Sequence, residues 1–422
     1  MKQGFLNKIE YRWWILVVAF YNCLVFSGGI FFAFSLFVKP LQTDFQWSRS
    51  TIMGAFTCLY LALAVTSPLT GKAVDRLGAK SVMALGGAFM ALGYALLFVL
   101  QSPLGFYIGN IIVGIGGSAT GPIPATAVVS DWFRQKRGLA IGIMSMGVGV
   151  GGLVLAPLLG GFIIPGLGWR AGYLSISILA CTTIPLALLV IKKREKDHVA
   201  APIAGREEAP VRKDRQISFT DDFSLRDALL SPALWLIATA IFLSQIALVG
   251  SIQSQVPYLQ DIGFPVTTAA TALGGIGLVS AFSKLFFGWL CDLIKPKYAC
   301  AIGVFFMAVG TCILMFIETS SPLLIIWMYS LAMGFGGGSW LPIYSMIVST
   351  SFGLASYGAI FGVVTLIQNV GVSIGPLFAG YIYDTTDGYH WSFVIFMVLY
   401  AVAIPTVLAV RRPKREERGV TL

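Results

Sequence analysis

Long apolar stretches separated by short polar segments make up most of this 422-residue chain. A helix that crosses the hydrocarbon core of a membrane needs about 20 mostly apolar residues. Stretches of that kind occupy 13–37, 51–71, 80–100, 104–129, 138–163, 170–191, 232–256, 266–290, 298–318, 322–348, 358–382 and 391–410. The pattern therefore predicts an all-α membrane protein with twelve transmembrane helices.

Residues 114–196 and 334–416 resemble each other at a constant offset of 220. The repeated positions include Gly114, Gly116, Gly117 and Pro122, which recur as Gly334, Gly336, Gly337 and Pro342. We therefore predict two six-helix bundles, 1–191 and 232–422, joined by a cytoplasmic linker at 192–231, whose mixed charges and few large apolar residues suit a flexible segment. Two repeated bundles in a membrane predict a substrate site between them and transport by alternating access.

Positively charged residues are concentrated in a few segments of the chain. Charged residues are 11% of the chain, against about 25% in soluble domains. Most Lys and Arg residues fall in 1–12, 72–80, 134–137, 192–226, 295–297 and 411–418. Because Lys and Arg favour cytoplasmic loops, we predict a multi-pass protein of the cell (inner) membrane with both termini in the cytoplasm. The net charge of +10 then reflects topology and attraction to anionic membrane lipid, and it implies no nucleic-acid partner.

The sequence offers little for enzymatic chemistry. Six Cys and two His are scattered, without the clustering that a metal site needs. Residues 147–152 match GxGxxG, but they lie within a predicted span and no acid follows, so helix packing explains them better than a dinucleotide. No GxxxxGK[ST] motif for ATP occurs. We predict no metal, no cofactor and no enzyme activity.

The segment GKAVDRLGAK (71–80) carries the most specific motif. Gly71 is expected to end the second span, and Asp75 to cap a neighbouring helix or to pair with a basic residue. The segment resembles the signature loop of the major facilitator superfamily, whose fold of two six-helix bundles would cover nearly the whole chain. GWLCDLIKPK (288–297) repeats it in part. The predicted gating residues are Gly71, Asp75, Arg76, Gly288, Asp292 and Arg137.

Two further segments narrow the resemblance. WFRQKRGLAIGIMSMG (132–147) resembles the monocarboxylate-transporter signature at the start of span five, and TDFQWSRS (43–50) resembles bacterial members, including the oxalate/formate exchanger group. The resemblance implies a carrier for small organic anions.

Lys284 is the one ionisable residue predicted to lie well inside the membrane, a position that by default indicates function. It stands where the monocarboxylate family has an Arg, so the resemblance implies that it binds the substrate carboxylate. The family's Asp four residues earlier is Ser280 here, and the exchanger's second cation would fall at about Val364. A single cation suits a monoanion better than a dianion. The alternative is a lysine whose ammonium snorkels to the cytoplasmic interface.

Other polar residues within the spans are candidates for lining the cavity, which the resemblance places between spans one, four, seven and ten. The candidates are Asn22, Gln245, Tyr329 and Tyr344, followed by Gln368 and Asn369 on span eleven. Hydrogen bonding between helices is the alternative role for each of them.

We expect secondary active transport of a small monocarboxylate such as lactate, pyruvate or formate, with the proton as coupling ion if Lys284 releases and regains it. One alternative is a drug/proton antiporter, because GLVLAPLLGG (152–161) approaches the antiporter pattern of span five. Such exporters usually carry a carboxylate within the membrane, and none is found here. The other alternative, a non-transporting sensor, would ordinarily carry a soluble output domain.

Overall fold

The computed structural model describes residues 2–133, 137–191, 223–353 and 356–411, and within them all regular structure is helical. Sixteen α-helices follow one another in the order α1 Lys2–Ser27, α2 Val38–Phe45, α3 Arg49–Leu77, α4 Ala79–Phe98, α5 Pro103–Thr120, α6 Pro122–Trp132, α7 Arg137–Leu158, α8 Ile164–Val190, α9 Leu225–Leu230, α10 Pro232–Asp261, α11 Val266–Leu293, α12 Pro296–Met315, α13 Leu323–Gly338, α14 Trp340–Phe352, α15 Tyr357–Thr386 and α16 His390–Leu408. Short π-helices at Gly28–Phe32 and Leu159–Ile163 extend α1 and α7.

Within the described residues, eleven continuous helical segments are long and apolar enough to cross a membrane. One of them, Leu139–Val190, runs for 52 residues. Gly168 interrupts its helical backbone with a φ of 84°, so this segment provides two crossings. All twelve predicted spans are therefore helical, and the all-α prediction is confirmed. The loop predicted at 164–169 is instead helical as far as Gly168.

Spans four and ten, predicted as continuous helices, are each divided in two. Helix α5 ends at Thr120 and α6 begins at Pro122, while α13 ends at Gly338 and α14 begins at Trp340. Proline lacks the N–H that a continuous helix would use and its ring clashes with the preceding turn. Pro122 and its repeat Pro342 both lie in the first turn of the second piece, where a proline is tolerated.

The repeated glycines make equivalent contacts in the two parts of the chain. A Cβ added to Gly116 would lie 2.5 Å from the backbone nitrogen of Met90, and one added to Gly336 would lie 2.6 Å from that of Met307. These distances are shorter than real Cβ contacts, so only glycine lets α4 approach α5, and α12 approach α13, this closely. The repeat in the sequence thus corresponds to a repeated helix–helix contact.

The N-terminal half (residues 2–191) and the C-terminal half (223–411) pack against each other mainly near one end of the molecule. We call the end that holds residues 38–49, 256–266 and 384–390 the outer face, after its predicted side of the membrane, and the opposite end the inner face.

Helices α7 and α11 meet where a Cβ on Gly277 would lie 2.5 Å from the carbonyl oxygen of Gly149. Nearer the inner face, a Cβ on Gly142 or Gly288 would meet no atom within 4 Å. The halves are therefore closed at the outer face and separated at the inner face.

The glycine run at 147–152 lies within α7 and serves helix packing, as predicted. A Cβ on Gly151 would come against the backbone of Leu24 and Gly28, and one on Gly152 would lie 2.8 Å from the ring of Phe32. The run therefore brings α7 close to α1 and its π-helical extension.

One prediction about the inner face is wrong. Gly71 does not end the second span, because α3 continues to Leu77 and stops at Gly78, whose φ of 81° favours glycine. The residues between these two glycines include no helix breaker, so the helix continues through the motif. Gly288 likewise lies within α11, which continues to Leu293. Of the predicted linker, 192–222 lies outside the described residues, and 223–231 contains the short helix α9.

Candidate substrate site

Lys284 lies on α11 with a half-buried side chain. Its Nζ donates to Ser280 Oγ at 3.1 Å and approaches the Ser280 carbonyl oxygen at 3.5 Å. Ser280 is one turn closer to the outer face, so the ammonium points away from the inner face, as helical side chains lean towards the N-terminus. A snorkelling lysine would extend the other way, to the cytoplasmic interface.

The charge of Lys284 is not balanced by a neighbouring carboxylate in the part of the chain that the structure describes. Within the described residues, no carboxylate lies at ion-pair distance from its ammonium. Cys23 of α1, in the other half, is buried and lies within electrostatic range of Lys284. The lysine therefore faces the seam between the halves and presents an uncompensated cation there. An anion that enters the seam is the natural partner for such a charge.

Two of the predicted lining residues bond to each other. Gln245 Nε2 on α10 donates to Tyr344 Oη on α14 at 3.0 Å, and both side chains are buried. Tyr329 on α13 is fully buried and donates to Gln255 Oε1 at 3.3 Å, while the Gln255 amide donates to the Ala269 carbonyl oxygen of α11 at 3.1 Å. These contacts hold α10, α11, α13 and α14 together. They correspond to the alternative role that the sequence left open for these residues, which is hydrogen bonding between helices.

Asn22, a predicted lining residue, is fully buried and only partly hydrogen-bonded. Its Nδ2 donates to the Val18 carbonyl oxygen at 2.9 Å, whereas its buried Oδ1 has no partner among the described residues. A buried acceptor without a partner costs about 1–3 kcal/mol, so a donor on a ligand would be favourable there. On α15, Gln368 is buried and Asn369 half-buried. The structure brings none of these three side chains into hydrogen-bond contact with Lys284.

The predicted gating residues lie at the inner face, where the two halves are separated. Asp75, Arg76 and Asp292 are all exposed, and no ion pair joins them within the described part of the chain. The side chain of Arg137 lies outside the described residues. A lock at the inner face would form only after the halves approach each other there.

We expect Asp75→Asn to change the rate of turnover without loss of the fold. A carboxylate that caps the N-terminus of a neighbouring helix contributes about 0.3–1 kcal/mol, and losing that amount shifts a two-state equilibrium by up to about fivefold. The measurement is exchange kinetics in proteoliposomes together with the melting temperature. Asp387→Asn, an exposed carboxylate at the outer face, is the control. Wild-type kinetics in Asp75→Asn would argue against a gating role.

The sequence did not predict a cluster at the outer face, which is centred on Arg49. The Arg49 side chain is 1% exposed. Its Nη2 donates to Asp261 Oδ1 at 2.9 Å, and its Nη1 lies 2.7 Å from Asp261 Oδ2, which makes a hydrogen-bonded ion pair between the two halves. The signal that could have revealed it is the distribution of outer charges between the halves of the sequence.

In the described part of the chain, twelve helical segments that could cross a membrane, a repeated helix packing and a seam closed at one face and open at the other are the architecture of a membrane transporter. A family model of the Major Facilitator Superfamily matches residues 18–376 and 249–421. The chain belongs to that superfamily, as the motif at 71–80 had indicated.

Relatives in sequence are carriers of organic anions by name. Monocarboxylate transporter 13 of Rattus norvegicus is 25% identical over 388 residues, covering 91% of this chain and 85% of the relative. The Oxalate:formate antiporter of Oxalobacter formigenes is 24% identical over 420 residues, covering 97% of this chain and 94% of the relative. Both match nearly the whole chain at low identity.

Solved structures share the fold. A bacterial homolog of the human lysosomal transporter Spinster, inward-facing and unoccupied, superposes with a TM-score of 0.74 at 17% identity, covering 96% of this chain and 99% of that one. A D-xylose–proton symporter also gives a TM-score of 0.74, at 16% identity, covering 95% and 98%. At these identities the likeness concerns the fold alone.

Proposed function

We propose that this protein is a secondary active transporter of small monocarboxylates that works by alternating access. The observation that carries the proposal is the ammonium of Lys284, which lies within a membrane span, faces the seam between the halves and has no carboxylate partner among the described residues. The names of the relatives, monocarboxylate transporters and an oxalate:formate antiporter, agree with an anionic substrate.

The charge of the site favours a monoanion. Val364, at the place where the resemblance would put a second cation, is an apolar residue with 1% exposure. A dianion bound at Lys284 alone would keep one negative charge in a medium of low dielectric constant, where an unpaired charge is costly. A monoanion and a protonated lysine form a neutral pair. We therefore propose lactate, pyruvate and formate as the substrate class.

Each residue of the proposed site has a distinct task. Lys284 binds the carboxylate, and Ser280 holds the ammonium towards the middle of the membrane through the hydrogen bond at 3.1 Å. Gln245 and Tyr344 occupy each other and act as a wall between α10 and α14.

The same charge balance relates transport to protons. When substrate is bound, the positive charge of Lys284 and the negative charge of the carboxylate cancel. The seam can then close around the substrate without burying net charge. An empty carrier has to return either with a neutral lysine, which gives proton symport, or with another anion, which gives exchange. We propose the first route, with Lys284 giving up its proton when the substrate leaves.

Uptake by proteoliposomes tests the function. We expect the purified protein to accumulate radiolabelled lactate, and an outside-acid pH gradient to increase the initial rate several-fold. Liposomes without protein are the control, and unlabelled formate should compete better than the dianion oxalate. Uptake that needs internal anion but ignores the pH gradient would replace symport with exchange. No uptake of any monocarboxylate would overturn the proposal in favour of an antiporter or a sensor.

A further inference from the structure

The outer face separates its charges between the two halves. The outer segments of the N-terminal half carry three cations, Lys39, Arg49 and Arg170, and one acid, Asp44, which is a formal +2. The outer segments of the C-terminal half carry four acids, which is a formal −4. These acids are Asp261, Glu318, Asp384 and Asp387. Opposite charges on the two sides of a seam attract each other, so the halves are electrostatically complementary where they close.

Arg49 is the centre of this complementarity. Besides the hydrogen-bonded ion pair with Asp261, its Nε donates to Gln42 Oε1 at 3.2 Å, and its Cζ lies 3.5 Å from the centre of the Tyr383 ring. Lys39 forms a second ion pair with Asp261. Removing the partner of a buried guanidinium costs far more than breaking a surface ion pair, because it leaves a buried charge unpaired. Separation of the halves would remove Asp261 and Tyr383 together.

The backbone of residue 49 is held from the other half as well. The N–H groups of Arg49 and Ser50 donate to the two carboxylate oxygens of Asp384 on α15, at 2.9 and 2.8 Å. They belong to the first turn of α3, where N–H groups lack partners within the helix and a negative charge is favourable. Asp384 thus caps a helix of the opposite half. The cap exists only while the outer face is closed.

We propose that Arg49 is the lock that keeps the outer face closed. Asp261 pairs with its side chain, and Asp384 accepts a hydrogen bond from its backbone N–H. Opening of the outer face must break both contacts at once, because both acids lie in the C-terminal half and residue 49 lies in the N-terminal half. The strength of the lock therefore sets the population of the outward-open state. The lock concerns the conformation of the carrier and does not depend on which substrate it transports.

Distance measurements between the halves test the lock without any substrate. Spin labels replace Gln46 and Ser320, both exposed residues of the outer face on opposite halves, in the full-length protein in lipid nanodiscs. We expect a dominant short distance without further substitution. Asp261→Asn should enlarge the long-distance population about tenfold, since Arg49 and Lys39 then lose their counter-charge. Arg170→Gln, which breaks an ion pair with Asp44 inside one half (3.9 Å), should leave the distances unchanged.

A second pair of variants keeps the test decisive if Asp261→Asn fails to fold. Asp384→Asn removes one acceptor and the charge from the cap at an exposed residue, and it should also enlarge the long-distance population. Asp387→Asn, three residues further on and equally exposed, should not. Distances in Asp261→Asn and Asp384→Asn that equal those of their controls would overturn the lock. Because the readout needs no substrate, this result is separate from success or failure of lactate uptake.

Discussion

Lys284→Ala is expected to abolish monocarboxylate uptake while leaving a folded, membrane-inserted protein. A hydrogen bond to a charged group contributes about 1.5–3 kcal/mol, so loss of the ammonium should weaken substrate binding by about tenfold to a hundredfold or more. The fold should survive because Lys284 has no carboxylate partner among the described residues, so its removal leaves no opposite charge unpaired. Lys284→Arg should retain part of the binding but lose stimulation by a pH gradient, since a guanidinium does not release its proton.

The measurements are substrate affinity by competition and initial uptake with and without the pH gradient, on protein whose folding is checked by its melting temperature. Lys295→Ala removes an exposed lysine just beyond the inner end of α11 and should behave as wild type. A snorkelling lysine makes the opposite prediction, with alanine tolerated and arginine without effect. Wild-type uptake in Lys284→Ala would remove Lys284 from the site.

Gly149→Ala should reduce transport by about tenfold, although the change adds a single methyl group. The new Cβ would lie 2.7 Å from the Cβ of Ala281 on α11 and would press on the backbone of Gly277. Overpacking of this kind costs about 1–3 kcal/mol, and here the cost falls on the state in which α7 and α11 are in contact. A carrier that cannot settle in one of its two states turns over slowly.

A matched control lies on the same helix. Gly142→Ala adds the same methyl group nearer the inner face, where no atom lies within 4 Å, so transport should stay within about twofold of wild type while helix propensity improves slightly. The rates are compared in proteoliposomes that contain equal amounts of folded protein. Equal rates for the two variants would mean that the contact at Gly149 is not needed for turnover.

Part of the site followed from the sequence because it depends on residue type along a single helix. Lys284 stands out as a charge within an apolar stretch, whereas its hydrogen bond to Ser280, one turn away on the same helix, was not predicted. The partners of Gln245 and Tyr329 were not visible in this way. Tyr344 is 99 residues from Gln245 and Gln255 is 74 residues from Tyr329, and nothing local in the sequence pairs them.

The helices and their repetition were determined by the sequence alone. A run of about 20 apolar residues makes a spanning helix whatever its neighbours are, and glycines repeated at a fixed offset mark contacts that occur twice. Span ends were less certain, as Gly71 shows, because a glycine in the membrane can serve packing as well as termination.

Only the tertiary structure decided which face is closed and which residues close it. Arg49 and Asp261 are 212 residues apart, and Arg49 and Asp384 are 335 residues apart. Each is an ordinary charged residue near a helix end until the halves meet. The direction of the Lys284 side chain, away from the inner face, was also decided by three-dimensional geometry. Apolar length is a property of neighbouring residues and a repeat can be read by aligning the chain with itself, whereas a seam between two halves exists only after both have folded and packed together.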